Sequence, residues 1–135
     1  MAAELTRRGA RDVGSTKHGR RTEIRATGPD GRTLEIRVKT RRVGTWQPKL
    51  GEAEPHPDDD QSHRFWIFVD LTKRRSRPTY YVVPEPWIQS DIRETHREYI
   101  ARHGGQRART PGSDHHSVDE GRIHEWEEWW EILGL

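Results

Sequence analysis

The alternation of apolar and charged positions is clearest in residues 32–40, RTLEIRVKT. Leu34, Ile36 and Val38 alternate there with charged side chains, which is the period of a strand with one apolar and one charged face. Residues 21–26, RTEIRA, repeat the alternation just upstream. The sequence therefore predicts two neighbouring strands, each with a charged face.

Residues 28–31, Gly-Pro-Asp-Gly, connect these two segments. Proline presets φ and glycine adopts positive φ, so this is the chemistry of a tight turn. An antiparallel hairpin closed by the turn places Glu23 near Lys39 or its neighbours. An acid and a lysine on adjacent strands indicate either phosphodiester chemistry or a salt-bridged sheet surface, and the pattern leaves both open.

Further periodic segments predict a meander of strands followed by helices. Residues 64–71, RFWIFVDL, are apolar on both faces and predict a central strand covered on both sides, and residues 79–84, TYYVVP, predict another. Helical periodicity runs from Pro86 to His103, where Asp91 with Glu94 offers an inner cap.

The C-terminal region predicts a last helix. Ser117 to Glu120 has the spacing of a capping box, and an apolar stripe comes after it at Ile123, Trp126, Trp130 and Leu133. These tryptophans either pack in the core or form a base-stacking platform. His115 and His116, just before the box, suggest surface or capping roles, with catalysis as the alternative.

Together these segments predict one domain, residues 1–135, of the α/β class. A short helix in residues 2–9 and an irregular strand or loop in residues 10–20 precede the hairpin. The expected architecture is a mixed, mainly antiparallel central sheet flanked by helices.

Composition narrows the class of protein. Only 30% of the 135 residues are hydrophobic, so the six Trp are needed to fill a small core. No cysteine is present, which excludes disulfides and thiolate zinc sites. Without an apolar run of about 20 residues or a signal-like segment at the start, we expect a cytoplasmic protein with no membrane partner.

The net charge of +2 conceals a strong segregation. Residues 1–50 and 71–110 carry net charges of +8 and +5, whereas residues 51–70 and 111–135 carry −5 and −6. This pattern is typical of a basic face that contacts a polyanion. An arginine-rich proteome is the alternative, since most of the cations are Arg.

Two loops carry candidate chemistry. The polar loop of residues 47–63 offers carboxylate and imidazole ligands for a metal ion or is simply an acidic solvated loop. The basic turn of residues 73–78 either contacts phosphate or keeps a hairpin tip soluble. The candidate ligands of the first loop are His56, Asp58, Asp59, Asp60 and His63.

With these elements in place, the chain resembles the PD-(D/E)XK nuclease superfamily. The resemblance rests on an acid-bearing strand, then Val38-Lys39-Thr40, then FWIFVDL, a short turn, TYYVVP and Trp87. It implies a restriction-endonuclease-like fold from about residue 10 to the C-terminus.

In that family two acids hold a divalent metal, usually magnesium, and a lysine activates water and stabilises developing charge. The resemblance assigns the first acid to Glu23 and the lysine to Lys39. The second acid falls on Arg37, whose guanidinium cannot ligate a cation. Glu35, two residues away on the same face, is the substitute metal ligand, with Asp70 and Glu4 as further sources of an acid.

Three hypotheses are compatible with these residues: a metal-dependent nuclease, a degenerate member that binds DNA or RNA, and a protein-interaction module. No nucleotide cofactor is expected, because a Gly-rich phosphate loop of the usual spacing is absent. DNA versus RNA and the oligomeric state, a dimer included, stay open. The candidate nucleic-acid contacts are Arg25, Arg37, Arg41, Arg42, Arg74 and Arg75.

Overall fold

A computed structural model describes residues 1–19, 21–57, 60–73, 76–104 and 114–135. The helices and strands, in chain order, are α1 (Ala2–Arg7), β1 (Arg11–His18), β2 (Arg21–Thr27), β3 (Thr33–Arg41), β4 (Arg64–Asp70), β5 (Thr79–Pro84), α2 (Glu85–Arg102) and α3 (Glu120–Ile123). Short 3-10 helices also occur at Leu50–Ala53, His124–Trp126 and Trp130–Leu133.

The five strands form one sheet in their sequence order. The pairs β1–β2, β2–β3 and β4–β5 are antiparallel, whereas β3 and β4 are parallel. Helix α1 packs on one face of the sheet and α2 on the other. This confirms the predicted α/β class with a mixed, mainly antiparallel sheet flanked by helices.

The β2–β3 hairpin is formed as the sequence predicts. The Gly28 amide donates to the Arg32 carbonyl at 2.8 Å, and the Gly31 amide donates to the Gly28 carbonyl at 2.9 Å. Gly31 has φ +84°, a value that glycine adopts without the steric cost of a side chain. The resulting register sets Glu23 directly opposite Arg37.

Two apolar layers cover the two faces of the sheet. Leu34 and Ile36 of β3 pack with Leu5 of α1 on one side, while Ile88 and Ile92 of α2 pack over the other. Strand β4 contributes side chains to both layers, as its two-sided apolar sequence predicts. The charged side chains of β3 therefore lie on the α2 face and not in open solvent.

Both N-terminal predictions hold in outline. The short helix in residues 2–9 is α1, and residues 10–20 contain an irregular strand, β1. Its register with β2 shifts between Arg11 and Gly14, and Asp12 has φ +51°, as expected at a bulge. β1 is mostly exposed, so backbone pairing and not side-chain burial holds it to the sheet.

The helix α2 begins earlier than its capping signals suggest. The helix begins at Glu85, directly after β5, and its C-cap is His103. Pro86 near the start is favourable because the first amides of a helix have no intrahelical acceptor. The inner cap predicted at Asp91 is therefore wrong, and Asp91 instead forms an ion pair with Arg122.

The predicted long C-terminal helix is also wrong. Asp119 caps the four-residue α3, its carboxylate accepting from the Arg122 amide at 3.3 Å. Beyond it the chain crosses the edge of β5, where the Glu128 amide donates to the Tyr80 carbonyl at 2.7 Å. Trp126 consequently packs on the α2 face and Trp130 on the α1 face, whereas one helical stripe serves only one face.

The connection between β3 and β4 runs through residues 42–63. A parallel pair needs a crossover of about a dozen residues or more, usually a helix. Here the described residues of the crossover are largely irregular and include the 3-10 helix Leu50–Ala53. The crossover packs Trp46 against the α2 face of the sheet and carries Glu52 to the charged side chains of β3.

Two further predictions concern a metal site in the acidic loop of residues 47–63 and the lack of a membrane partner. Asp58 and Asp59 lie outside the described residues, and within the described ranges no group of three or more His, Asp or Glu side chains is placed to hold a metal ion. None of the helices in the described part of the chain is long and apolar enough to cross a bilayer.

Candidate functional site

Glu23, Arg37 and Lys39 share one face of the sheet. Glu23 is the register partner of Arg37, and Lys39 lies two residues later on β3, so its side chain points the same way. The structure therefore brings the predicted acid and lysine to neighbouring strands on the α2 face. Each, however, has a different partner.

Lys39 is paired with a carboxylate from the crossover. Its Nζ donates to Glu52 Oε1 at 2.5 Å, and the two side chains are 15% and 9% exposed. Burial lowers the pKa of Lys39 despite the opposing effect of Glu52. Burial acts to raise the pKa of Glu52, but hydrogen bonds from Lys39 and the Lys49 amide outweigh it and keep that pKa below its usual range.

Arg37 lies between two carboxylates, only one of which the sequence suggested. Its Nε is 3.7 Å from Glu23 Oε1 and 3.5 Å from Glu85 Oε1. The guanidinium also donates a long hydrogen bond, 3.4 Å, to the Glu52 carbonyl. Glu23 has a second cation, since its Oε1 is 2.5 Å from an Arg21 nitrogen. The Glu23 charge is therefore neutralised from two sides.

Glu85 is the most deeply buried acid in this region. Its side chain is 3% exposed, and its Oε1 accepts from Trp66 Nε1 at 2.9 Å. Within the part of the chain that the structure describes, its Oε2 has no hydrogen-bond partner. An ionised carboxylate is costly to bury without a counter-charge. Arg37 therefore stabilises the buried Glu85 carboxylate by providing that counter-charge.

The metal site predicted at Glu23 and Glu35 does not fit this arrangement. Glu35 Oε2 is 2.7 Å from Arg64 Nη1 and 3.6 Å from His63 Nε2. Arg37, two residues from Glu35 on the same strand face, carries a fixed positive charge. Because each carboxylate already has a cation, these residues do not fit a magnesium site.

The alternative acids do not replace the missing ligand either. Asp70 accepts from Arg41 at 2.7 Å and from Thr72 at 2.6 Å. Although burial works in the opposite direction, these hydrogen bonds lower its pKa to about 2. Glu4 lies on α1, which packs on the other face, and pairs with Arg7 and Arg8.

A second feature of this face is a basic cleft of about 750 Å³. It lies between the β1–β2 turn, the end of β3 and the start of the crossover. Two of the predicted nucleic-acid contacts, Arg41 and Arg42, line it. We call it the basic cleft; its charged and imidazole side chains are Arg21, Lys39, Arg41, Arg42, Lys49, His18, His115 and Glu52.

The other predicted nucleic-acid contacts lie in a neighbouring cavity or outside the described residues. Arg25 is exposed and lines a neighbouring cavity together with Arg37, so neither lies in the basic cleft. Arg74 and Arg75 lie outside the described residues. His116 contacts the Thr95 hydroxyl at 3.0 Å, which gives it a structural neighbour on α2.

Sequence reasoning missed Glu52 and Glu85. Glu52 comes from an irregular crossover, where no periodicity assigns a side chain to a face. Glu85 stands between two prolines just after an apolar strand, and an acid at a helix start is normally exposed. Its one useful signal is the abrupt change from the apolar strand TYYVVP to a charged residue.

Comparisons with known proteins give no relative for this geometry. No family model, curated protein or solved structure matches the chain. The resemblance to the PD-(D/E)XK nucleases stays a prediction carried by the strand pattern and by Glu23 and Lys39. Inferences about function therefore rest on the charge arrangement of the α2 face.

Proposed function

We propose that the protein binds the phosphodiester backbone of DNA or RNA in the basic cleft without hydrolysing it. The observation that carries this proposal is the lining of the cleft. It presents five Lys or Arg side chains and two His against one carboxylate, Glu52, and Lys39 neutralises that carboxylate. Such a surplus of positive charge in a concave surface attracts a polyanion.

The cations of the cleft fall into two groups. The first group is paired with carboxylates and fixes the wall of the cleft: Lys39 with Glu52, Arg41 with Asp70, and Arg21 with Glu23. Arg42 and Lys49 are exposed and form no ion pair with the described residues. These two are the side chains that we expect to contact phosphates directly.

The walls of the cleft come from residues on either side of the β1–β2 connection, from the end of β3 and from the crossover. Positive charge in the sequence is concentrated in the two blocks that contain four of the five described strands, all except β4. The acidic C-terminal block contributes the exposed Glu120, which lies 3.6 Å from Arg41, so the positive charge available to a polyanion is that of Arg42 and Lys49.

The restriction-endonuclease-like fold is part of this proposal. It is supported by Glu23 and Lys39 on neighbouring strands of one face and by β4 parallel to β3. A metal-dependent phosphodiesterase using those two residues is the competing function. It is disfavoured because Arg21 and Arg37 already neutralise Glu23. A cytoplasmic location belongs to the same proposal.

A double variant of the exposed cations tests the proposal. Binding of labelled single-stranded DNA, duplex DNA and RNA would be measured by fluorescence anisotropy at several salt concentrations. Arg42→Ala/Lys49→Ala should weaken binding and reduce the slope of log affinity against log salt by about 2, or about 1 for each lost phosphate contact.

The matched control removes two cations from elsewhere. Arg97→Ala/Arg102→Ala changes two exposed arginines of α2 that do not line the cleft, and it should keep the wild-type slope. Equal losses in both double variants would contradict binding in the cleft. Cleavage that requires magnesium or manganese and is lost in Lys39→Ala would establish the competing nuclease.

A further inference from the structure

The buried carboxylate of Glu85 is unusual because it has a counter-charge but an incomplete set of hydrogen bonds. Its Oε2 is buried and has no hydrogen-bond partner among the described residues, and Glu85 lines a cavity of about 410 Å³ that Glu23 and Arg37 also line. Buried polar atoms are nearly always paired. An orphaned oxygen on a carboxylate that lines a polar cavity indicates a place where a further cation or water binds.

Arg37 supplies the counter-charge of Glu85 through the other carboxylate oxygen, Oε1. The same nitrogen, Nε, lies within 4 Å of a carboxylate oxygen of Glu23 and of Glu85. The side chain is only 18% exposed and lies beside the Trp66 ring, with its guanidinium carbon 5.7 Å from the ring centroid. The charge is therefore held by the sheet and cannot readily leave the two acids.

We propose that the Arg37 guanidinium serves as a built-in cation between Glu23 and Glu85, in the place that a divalent ion would take. The wild-type chain then needs no metal on this face and excludes one by charge repulsion. Removing the guanidinium charge converts the same carboxylate pair into a divalent-cation site. This exchange does not depend on what binds in the basic cleft.

The chemistry of the donors supports such an exchange. Magnesium and manganese take oxygen ligands, and magnesium is commonly held by one or two carboxylates while keeping several waters. Glu85 offers an oxygen, Oε2, that has no hydrogen-bond partner in the described part of the chain. The other cations of the cavity, Arg21, Arg25 and Arg64, include one that contacts Glu23, namely Arg21. The site created is therefore expected to bind weakly.

Arg37→Gln is the variant that tests the exchange. Glutamine keeps a polar side chain of similar reach but carries no charge, so the two acids lose their fixed cation. Manganese binding would be measured by loss of the free-ion electron paramagnetic resonance signal, and stability by the thermal midpoint. We expect one bound manganese in the variant and an upward shift of its midpoint of about 5 °C at saturating metal.

Two further variants give the test its controls. Arg37→Lys keeps a positive charge and should show neither manganese binding nor a metal-dependent midpoint, like the wild type. Arg37→Gln/Glu85→Gln removes the orphaned carboxylate and should lose the manganese site that Arg37→Gln gains. Magnesium would replace manganese in a parallel thermal series.

Each possible result either supports or contradicts the proposal that Arg37 takes the place of a divalent ion. Manganese binding by Arg37→Gln that disappears with the added Glu85→Gln change supports the exchange, as does a variant that folds only when metal is added. A folded Arg37→Gln variant that neither binds manganese nor shifts its thermal midpoint with it would overturn the proposal. An Arg37→Gln variant that is unfolded both with and without metal would also overturn it. Wild-type manganese binding that Glu85→Gln abolishes would overturn it as well.

Discussion

The Arg37–Glu85 contact makes a quantitative prediction about stability. Arg37→Met removes the guanidinium charge but keeps a side-chain stem that can pack beside Trp66. The Glu85 carboxylate, 3% exposed, is then left in the interior with one hydrogen bond from Trp66. Glu23 is nearer to solvent and keeps Arg21, so the loss falls mainly on Glu85.

The size of the loss depends on the burial of the pair. Removing one partner of a buried ion pair typically costs about 3–5 kcal/mol, because the other charge remains uncompensated. Arg37 is 18% exposed and its Nε is 3.5 Å from Glu85, beyond the usual hydrogen-bond length. We therefore expect a value at the lower end, about 3 kcal/mol, or a fall in the thermal midpoint of about 10 °C.

The assay is urea unfolding monitored by tryptophan fluorescence, with the free energy of unfolding extrapolated to water. Arg37→Met/Glu85→Gln should regain about 2 kcal/mol, since the amide oxygen still accepts from Trp66 and no buried charge is left. The control is Arg25→Met, an exposed arginine on the neighbouring strand, which should change stability by less than about 0.5 kcal/mol.

Two results would refute this reasoning. A cost for Arg37→Met below about 1 kcal/mol would place the pair among exposed ion pairs, which contribute little. A double variant no more stable than Arg37→Met would show that Glu85 was not the source of the loss. Either outcome would also weaken the idea that Arg37 acts as the cation of the Glu23–Glu85 pair.

Two other predictions concern the far end of the same face. Against the opposing effect of burial, hydrogen bonds from Arg41 and Thr72 lower the pKa of Asp70 from 3.8 to about 2. The ionised Asp70 carboxylate therefore stabilises the fold by about 2 kcal/mol. This contribution is complete above about pH 4 and is lost as the pH falls towards 2. Asp70→Asn should flatten that part of the acid-unfolding curve, and an unchanged curve would contradict the assignment. Trp46 is 1% exposed, so Trp46→Ala should cost about 3–5 kcal/mol in urea unfolding; Trp129→Ala, at a 43% exposed position, is the control, and equal costs would contradict the packing.

The central fold elements can be predicted from local sequence because local chemistry decides them. Strand β4 is apolar on both faces, and burial on both sides is the way to satisfy that pattern. The hairpin results from a turn in which Gly31 takes a positive φ between two alternating segments. The period of two in a strand also places Glu23 and Lys39 on one face without knowledge of the fold.

Other features depend on tertiary contacts that no local pattern contains. The Ser117–Glu120 spacing is a genuine capping signal, but the chain beyond it must cover both faces of the sheet, which a single helix cannot do. The partners of the site residues show the same limit. Glu52 arrives from an irregular crossover and Glu85 from the first residue of α2, so no sequence pattern pairs them with Lys39 and Arg37.

The central claim is that the protein binds nucleic acid through charge and without a metal ion. The most direct test is binding of a labelled duplex to the wild-type protein across a salt series, in EDTA and again in magnesium, with the substrate examined for cleavage afterwards. We predict the same salt-sensitive affinity in both conditions and an intact substrate. No binding at low salt, or binding and cleavage that appear only with magnesium, would contradict the claim.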